Sequence, residues 1–540
     1  MKSQSELSVP VPVSKTYIIR TLKMTTLEHR EKALRETEYN VFSFPADLLF
    51  VDYLSDSGTT SMTDVQWSAL IHGDEAYGRN KGYYILLDAI RDTFERGDDR
   101  KFVIKHILTN EENVDVLMDE IYLQHYQGGF VNGGKFQLER PNAFIVPQGR
   151  CAEYLLFSTL ANVLESKFGT SPKNYHIPNN GHFDTTEANI RVAQIHPINL
   201  FSQNLLKEFD YKLSEKENPF KGNMDIAALE KLIQTTGKEF IPLIYMTITN
   251  NTAGGQPVSL ANIKAVKNIA DKYEIPFFID ACRFAENAYF IKHFEPEYAD
   301  WSIPKIVQEV FKQVDGFHIS FKKDGLANIG GGLFFRDKGL FWKKYSIDGI
   351  DIGVRLKEKQ ILTFGNDSYG GLSGHDIMAL AMGLYEVVKE KYLDDRVHQV
   401  RYMANKLAEK GVPVLLPAGG HAVYLNMDEF FRDVPDMKME DFGGVGLTIE
   451  LIRHYGIRAV ELGPFAFELD KKSKEDQEGV LNLVRFAIPR NAYSQNHIDY
   501  TVDAIVELYK NRKLIPKIKI VRGKELNLRH FQTGLEPIYR

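Results

Sequence analysis

The chain has 540 residues, a formal net charge of −6 and an isoelectric point near 6.2. That balance gives no electrostatic case for nucleic acid or an anionic membrane as partner. Hydrophobic residues at 44% and charged ones at 26% are the proportions of a soluble globular protein, long enough for two domains and a large core. Two cysteines, Cys151 and Cys282, do not imply a disulfide framework. The opening MKSQSELSVPVPVSK lacks the apolar core of a signal peptide, and no run approaches the roughly 20 apolar residues of a membrane span, so a cytoplasmic protein is expected.

Residues 1–15, with their Val-Pro repeats, read as an extended arm. KTYIIRTLKM is strand-like, and TTLEHREKALRET starts on a threonine cap and continues as a helix. LLFVDYLSDSGTTSMT is a strand running into a polar loop. There the hydroxyls of Ser55 and Ser57 and the backbone of Gly58 suit a carboxylate or a cation, although a plain Ser/Gly turn would look the same. HGDEAYGRNKGYYILLDAIRDTF gives a loop and then an amphipathic helix. The charged, partly helical segment 95–140 reads as a surface excursion or a subunit contact.

AFIVPQGRCAEYLLFSTLANVL is a strand, a Gln148-Gly149-Arg150 turn and a helix, and free N–H groups at such a helix start suit a phosphate. EFIPLIYMTITNNTAGGQPVSLANIKAVKNIADKY is a buried strand, a loop and a helix. In IPFFIDACRFAENAYFIK an apolar strand ends on Asp280, with Arg283 three residues on. GFHISFKKDGLANIGGG follows. A lysine in a dry cleft loses basicity and becomes an amine nucleophile able to hold an aldehyde cofactor as a Schiff base. Ser320, three residues before Lys323, is placed to bond a phosphate, and the glycines from Gly330 on allow close approach to a flat ring. A strand-terminal aspartate about forty residues upstream of Ser-x-x-Lys is what pyridoxal phosphate requires, because a carboxylate must hold its ring nitrogen protonated.

Strands alternating with helices through this region predict a mostly parallel sheet covered on both faces. DSYGGLSGHDIMALAMGLYEVVKEKYLDDRVHQVRYMANKLAEKG reads as a long helical bridge, and VPVLLPAGGHAVYLNM opens a smaller α+β domain. In that domain Arg490 of RFAIPRNAY offers a planar fork for an amino-acid carboxylate, the bland reading being a surface arginine after a proline.

Four stretches, SFKKDGLANIGG, DACRFAENAYFIK, NNTAGGQPVSLAN and SDSGTTSM…GDEAY, resemble the β-eliminating lyases, the family of tryptophanases and tyrosine phenol-lyases. The resemblance runs from about Thr16 to the C-terminus and is interrupted only by the extra segment 95–140. It implies an α/β, fold type I pyridoxal-phosphate-dependent transferase-like protein. The expected divisions are an arm (1–15), an N-terminal part of the small domain (16–54), a large cofactor-binding domain (55–375) and a C-terminal small domain (376–540). It further implies Lys323 as the cofactor lysine and Lys322 as an electrostatic or water-ordering neighbour. Gln148, Gly149, Arg150 and Ser320 would hold the phosphate, although Val146-Pro147 stands where the family has Thr-His. Phe183 would stack on the ring, Asp280 would meet its nitrogen, and Asn251 and Arg283 would bond its 3′ oxygen. Tyr77 would act as proton donor across a subunit interface. A potassium ion would sit on Glu75 and the backbone oxygens of Gly58 and Asn328, and the assembly would be a homotetramer.

Three positions bear on the substrate through the same resemblance. Leu462 stands where phenol-lyases carry an arginine, Asp184 where they carry a threonine, and His530 where they carry a phenylalanine. Together these imply α,β-elimination of L-tryptophan to indole, pyruvate and ammonium. The alternatives are a lyase for L-tyrosine or cysteine S-conjugates, and a silent homologue. Retention of Lys323, Asp280, Arg283, Tyr77 and Arg490 speaks against the last.

Overall fold

A computed structural model describes residues 13–16, 18–109, 113–205, 220–477 and 479–539. The described residues build fourteen strands: β1 (Val51–Asp52), β2 (Ala143–Val146), β3 (His176–Asn179), β4 (His196–Asn199), β5 (Ile244–Thr247), β6 (Phe277–Asp280), β7 (Gly316–Ser320), β8 (Gly331–Phe335), β9 (Ala422–Asn426), β10 (Ile457–Arg458), β11 (Val460–Leu462), β12 (Leu483–Ala487), β13 (Lys517–Arg522) and β14 (Gly534–Ile538).

Five of them form the central sheet in the order β2-β8-β7-β6-β5. β5, β6 and β7 run parallel, and β8 runs antiparallel to both its neighbours. Every residue of these five strands is buried, which explains their continuous apolar runs: a sheet covered on both faces has no polar side to alternate with. The parallel pair β3–β4 meets the outer edge of β5 through Asn179 and Asn180, whose side chains bond Thr247. One face of the sheet is covered by α1 (Gly149–Phe168), through Leu155, Leu156 and Leu160. The other is covered by α3 (Leu260–Tyr273), α4 (Phe284–Phe294), α5 (Ile303–Lys312) and α6 (Gly374–Val387). On the α1 side, α2 (Asp184–Val192) packs beside α1.

The smaller unit centres on the antiparallel sheet β11-β12-β9. Val51 and Tyr53 join its core from the N-terminal side, and β1 pairs with β10. The helix Leu27–Glu36 forms as expected, with Thr26 capping it through a bond from the His29 N–H.

Four sequence expectations change. Residues 18–24 form no strand and leave Ile18 and Ile19 exposed, while Arg20 and Lys23 pair with Asp47. The long helical stretch is two helices, α6 and α7 (Glu390–Glu409), parted at Val388 and Lys389. Packing changes over inside α7, not at residue 375. Leu393 and Val397 belong to the core of the large sheet, while Val400 and Met403 belong to that of the small one. The segment 95–140 is no surface excursion. Phe130 packs on Phe311 and Phe317 at 6.2 and 5.1 Å, and Val103, Ile104, Ile107 and Ile121 are buried with them. Its charge misled because it is spent internally: Arg96 bonds Asp88 and Asp92, and Arg140 bonds Asp337. Among the described residues no helix is long and apolar enough to cross a membrane.

Candidate active site

The site forms where β5, β6 and β7 end together. Asp280 closes β6, level with Thr247 and His318 in the sheet, and accepts a 3.1 Å bond from the Cys282 N–H. After Ser320 the chain turns sharply, with Lys323 N–H donating to the Ser320 carbonyl and Leu326 N–H to that of Lys323. The Asp324 N–H reaches the Cys282 carbonyl, which ties this lysine turn to the Asp280–Arg283 turn. The lysine and the carboxylate are therefore set by two adjacent strands of one rigid sheet.

Beside them α1 begins. Its N-cap, Gln148, makes no side-chain capping bond, so the first N–H groups of the helix remain available to an anion. A Cβ on Gly149 would come within 2.8 Å of the Ser320 Cβ, and one on Gly331 within 2.4 Å of the Gln148 carbonyl carbon. Only glycine allows the helix start, Ser320 and β8 to converge this closely. Arg150 is exposed at the rim, with its guanidinium 5.8 Å from the Phe531 ring centre. Phe183, half-buried, is the N-cap of α2. An aldehyde-bearing pyridine with a phosphate fits this donor set: an amine on Lys323, a buried carboxylate on Asp280, and a helix start beside a hydroxyl.

Arg283 and Arg490 are engaged differently from the sequence expectation. Arg283 donates to both carboxylate oxygens of Asp56, at 3.0 and 2.7 Å. Arg490 has 0% exposure and bonds Asp56 (2.9 Å), Glu286 (2.8 Å) and Asp324 (2.8 Å), while Arg396 adds a 3.0 Å bond to Glu286. Three carboxylates already hold this guanidinium, so the structure does not present Arg490 to a substrate. Burial opposes the charge on Asp56, but Arg283, His421 and Arg490 outweigh it and hold the carboxyl well below its usual range. Burial, with Glu286, instead pushes Asp324 up to about 6 against Arg490.

The guanidinium that does border the site is Arg485, on β12. It donates 3.3 Å to the Asn251 side-chain oxygen and 2.9 Å to the Leu54 carbonyl, and its Nε has no partner among the described residues. Asn251 is held from the other side by His421 and Tyr424. Leu54 leads into the loop where the Ser57 N–H bonds the Ser55 hydroxyl. Gly58 follows with φ +76°, and a Cβ there would meet Cε of Lys322 at 2.5 Å. Burial, then the nearby Lys323 and Arg150, lowers the Lys322 pKa.

The structure joins two of the expected cation ligands and leaves out the third. Asn328 donates to the Gly58 carbonyl at 3.0 Å, whereas Glu75 accepts from Gly374 and His375 at the start of α6. Tyr77 is 73% exposed, its ring 5.6 Å from that of Tyr369. Asp184, which follows Phe183 at the start of α2, and His530 come together, with Nε2 3.3 Å from the carboxylate. His530 is buried against Phe42 and Phe531, and its Nδ1 has no partner among the described residues. Leu462 is buried on β11 in the apolar cluster that Phe42 also packs against.

Sequence reasoning overlooked Asp56, Glu286, Asp324, Arg485, Glu153 and His318. Most lie in stretches it did quote, and Arg485 is five residues before the arginine it chose. A strand assignment for LVRFA would have aimed Arg485 inward.

The architecture is that of the fold type I enzymes. Aspartate aminotransferase from Thermotoga maritima superposes with a TM-score of 0.51 over 90% of this chain and 96% of its own, at 13% identity. The sequence narrows the class. Residues 52–504 match the beta-eliminating lyase family model. A tryptophanase from Salinibacter ruber is 35% identical over 96% of this chain and 94% of its own. A tyrosine phenol-lyase from Symbiobacterium is 34% identical over 96% and 97%. The chain belongs to the β-eliminating lyase family, and it is a lyase. Fold and family together imply pyridoxal phosphate as cofactor.

Proposed function

We propose that the protein eliminates indole from L-tryptophan, leaving pyruvate and ammonium. Pyridoxal phosphate, when bound, supplies the electron sink for the α-carbon. Lys323 would anchor it, and its amine would take the α-proton of the substrate. The start of α1 with Gln148, Gly149, Arg150 and Ser320 would receive the phosphate, Phe183 would face the ring, and Asp280 would meet its nitrogen. Asn251, with Arg283 behind it, sits at the 3′ oxygen.

Arg485 and the Ser55–Ser57 loop hold the substrate carboxylate. This replaces the role expected for Arg490, because Arg485 meets only the neutral oxygens of Asn251 and Leu54, while both terminal nitrogens of Arg490 are engaged by three carboxylates. Lys322, poised over Gly58 and less basic than usual, orders charge or water there. Tyr77 and Glu75 act on a neighbouring copy, in a homotetramer of paired dimers. The exposure of Tyr77 and the engagement of Glu75 by Gly374 and His375 support sites completed between subunits, with potassium on Glu75, Gly58 and Asn328.

The observation that carries the substrate assignment is the buried Asp184–His530 pair, next to an apolar Leu462. His530 orients the indole N–H or manages its proton, and Leu462 leaves the ring without a phenol-directed cation. A buried polar partner contributes about 1–3 kcal/mol, so His530→Phe should slow tryptophan turnover by roughly tenfold or more. S-ethylcysteine, whose thiolate leaves unaided, should suffer much less. Equal losses on both substrates would make His530 a structural residue. Faster turnover of tyrosine than of tryptophan by the wild type would defeat the indole assignment.

A further inference from the structure

The strand that delivers Lys323 also carries a histidine that the proposed chemistry does not use. His318 on β7 is 1% exposed and lies beside Asp280, its partner in the sheet register. Its Nε2 is 3.6 Å from an Asp280 oxygen and 3.4 Å from a Glu153 oxygen of α1. Its Nδ1 contacts the Tyr245 hydroxyl on β5, and the two rings lie parallel with centres 5.8 Å apart. The Cys282 thiol completes the surroundings, coming with Asp280 and His318 within 4.8 Å. Glu153 is itself fixed by the Thr186 hydroxyl at 2.6 Å and the Asn189 amide at 3.2 Å, both from α2.

We propose that His318 is a positioning residue. As an imidazolium clamped between Glu153 and Asp280, it keeps Asp280 ionised and correctly turned before the cofactor arrives.

The physical case is one of charge balance. Asp280 and Glu153 are buried carboxylates that would otherwise face each other in a medium of low dielectric. Two such groups do not both stay ionised without a cation between them. One imidazole nitrogen in reach of both carboxylates, with the other against a phenol, satisfies that need. Burial works against charge on His318, but Asp280, Cys282 and Glu153 outweigh it and raise its pKa well above the usual value. Burial likewise opposes ionisation of Glu153, and the His318 and Thr186 bonds overcome it, holding that carboxyl down to about 2. Tyr245 is pushed up by burial and stays a neutral phenol. The ring nitrogen of the cofactor would then meet a carboxylate backed by a neighbouring cation. Asp280 touches the cofactor; His318 acts only through Asp280.

The inference rests on Asp280 facing the pyridine ring, so its test uses a ligand that needs no lysine chemistry. Pyridoxine 5′-phosphate, which lacks the aldehyde, reports ring and phosphate contacts alone. The double variant His318→Asn/Glu153→Gln removes the cation together with the carboxylate it also serves, which leaves Asp280 buried without its cationic partner and keeps the Thr186 and Asn189 contacts available. Apoenzyme affinity for this probe should be nearly flat from pH 6.5 to 8.5 in the wild type. In the double variant Asp280 is protonated at the lower pH. For each unit that its pKa lies above the solution pH, about a tenth of the sites remain ionised, so the probe should bind about tenfold more weakly at pH 6.5 and recover as pH rises.

Wild-type affinity and profile in the variant, or a weakening that is the same at every pH, would overturn the proposal. Should the double variant fail to fold, calorimetry on the wild-type apoenzyme decides. At pH 7.5, where the probe's phosphate is already largely a dianion, binding in buffers of different ionisation enthalpy should release no proton from Asp280. Release of about one proton would overturn it. If the wild type does not bind the probe at all, the cofactor reading fails, and not the role of His318.

Discussion

Arg490 and Arg485 lie five residues apart, and the structure gives them different work, which a pair of substitutions can separate. Arg490→Met removes the guanidinium that bonds Asp56, Glu286 and Asp324 together. Breaking a buried ion pair from one side costs about 3–5 kcal/mol, because the remaining charges stay uncompensated. Unfolding entropy near 2.1 cal/mol/K per residue gives about 1.1 kcal/mol/K for 540 residues, so the apoprotein midpoint should fall by about 3–5 °C. Arg485→Met loses two bonds to neutral acceptors, worth about 1–2 kcal/mol together, and should shift the midpoint by only about 1–2 °C. Its cost appears in turnover. Charge-assisted bonds to a carboxylate contribute about 1.5–3 kcal/mol, so kcat/KM for tryptophan should drop roughly 10- to 150-fold, chiefly through KM. Thermal melts of both apoproteins and steady-state kinetics of both holoenzymes provide the readout. A wild-type melt for Arg490→Met combined with unchanged kcat/KM for Arg485→Met would refute the assignment.

Two further outcomes follow from the site. Mixing Tyr77→Phe with Lys323→Ala subunits under exchange conditions should restore activity, and potassium should support more of it than sodium. Proven exchange with no restored activity would exclude shared sites. Burial pushes Glu461 up to about 7, against bonds from Phe465 and Ala466 and the pull of His530. A carboxyl raised in the fold stabilises it fully below its unfolded pKa near 4.5, and that contribution is lost as pH climbs through 7. Glu461→Gln should therefore melt about 2–3 °C above wild type at pH 8.5 and match it near pH 4.5. An equal difference at both pH values would contradict this.

The sequence was most informative where chemistry demands a residue at a fixed place along a strand. Asp280 at the end of β6 and Lys323 just after β7 could be read because a buried strand tolerates a charge only at its end, where the sheet opens onto a cleft. The glycines at Gly149 and Gly331 fitted the same picture. What stayed hidden depends on contacts between distant segments. Arg490 looks like an available fork in RFAIPRNAY, and only folding shows that Asp56, Glu286 and Asp324 claim it first. His318 reads as one more residue of a buried strand until Glu153 arrives from α1. The segment 95–140 looked like surface because its charges are numerous, yet Arg96 and Arg140 pair with Asp88, Asp92 and Asp337 outside it while Phe130 and Val131 enter the core. The change of core inside α7 leaves no mark in composition, since one continuous helix supplies both sides.

The account stands on one lysine, and the most direct test labels it. The protein loaded with pyridoxal phosphate should show the visible absorption of a lysine-bound cofactor, lose it on borohydride reduction, and yield a single pyridoxyl-bearing peptide. The account places that label on Lys323, with Lys323→Ala neither labelled nor active. A label on Lys322, or none on the turn that follows β7, would contradict it.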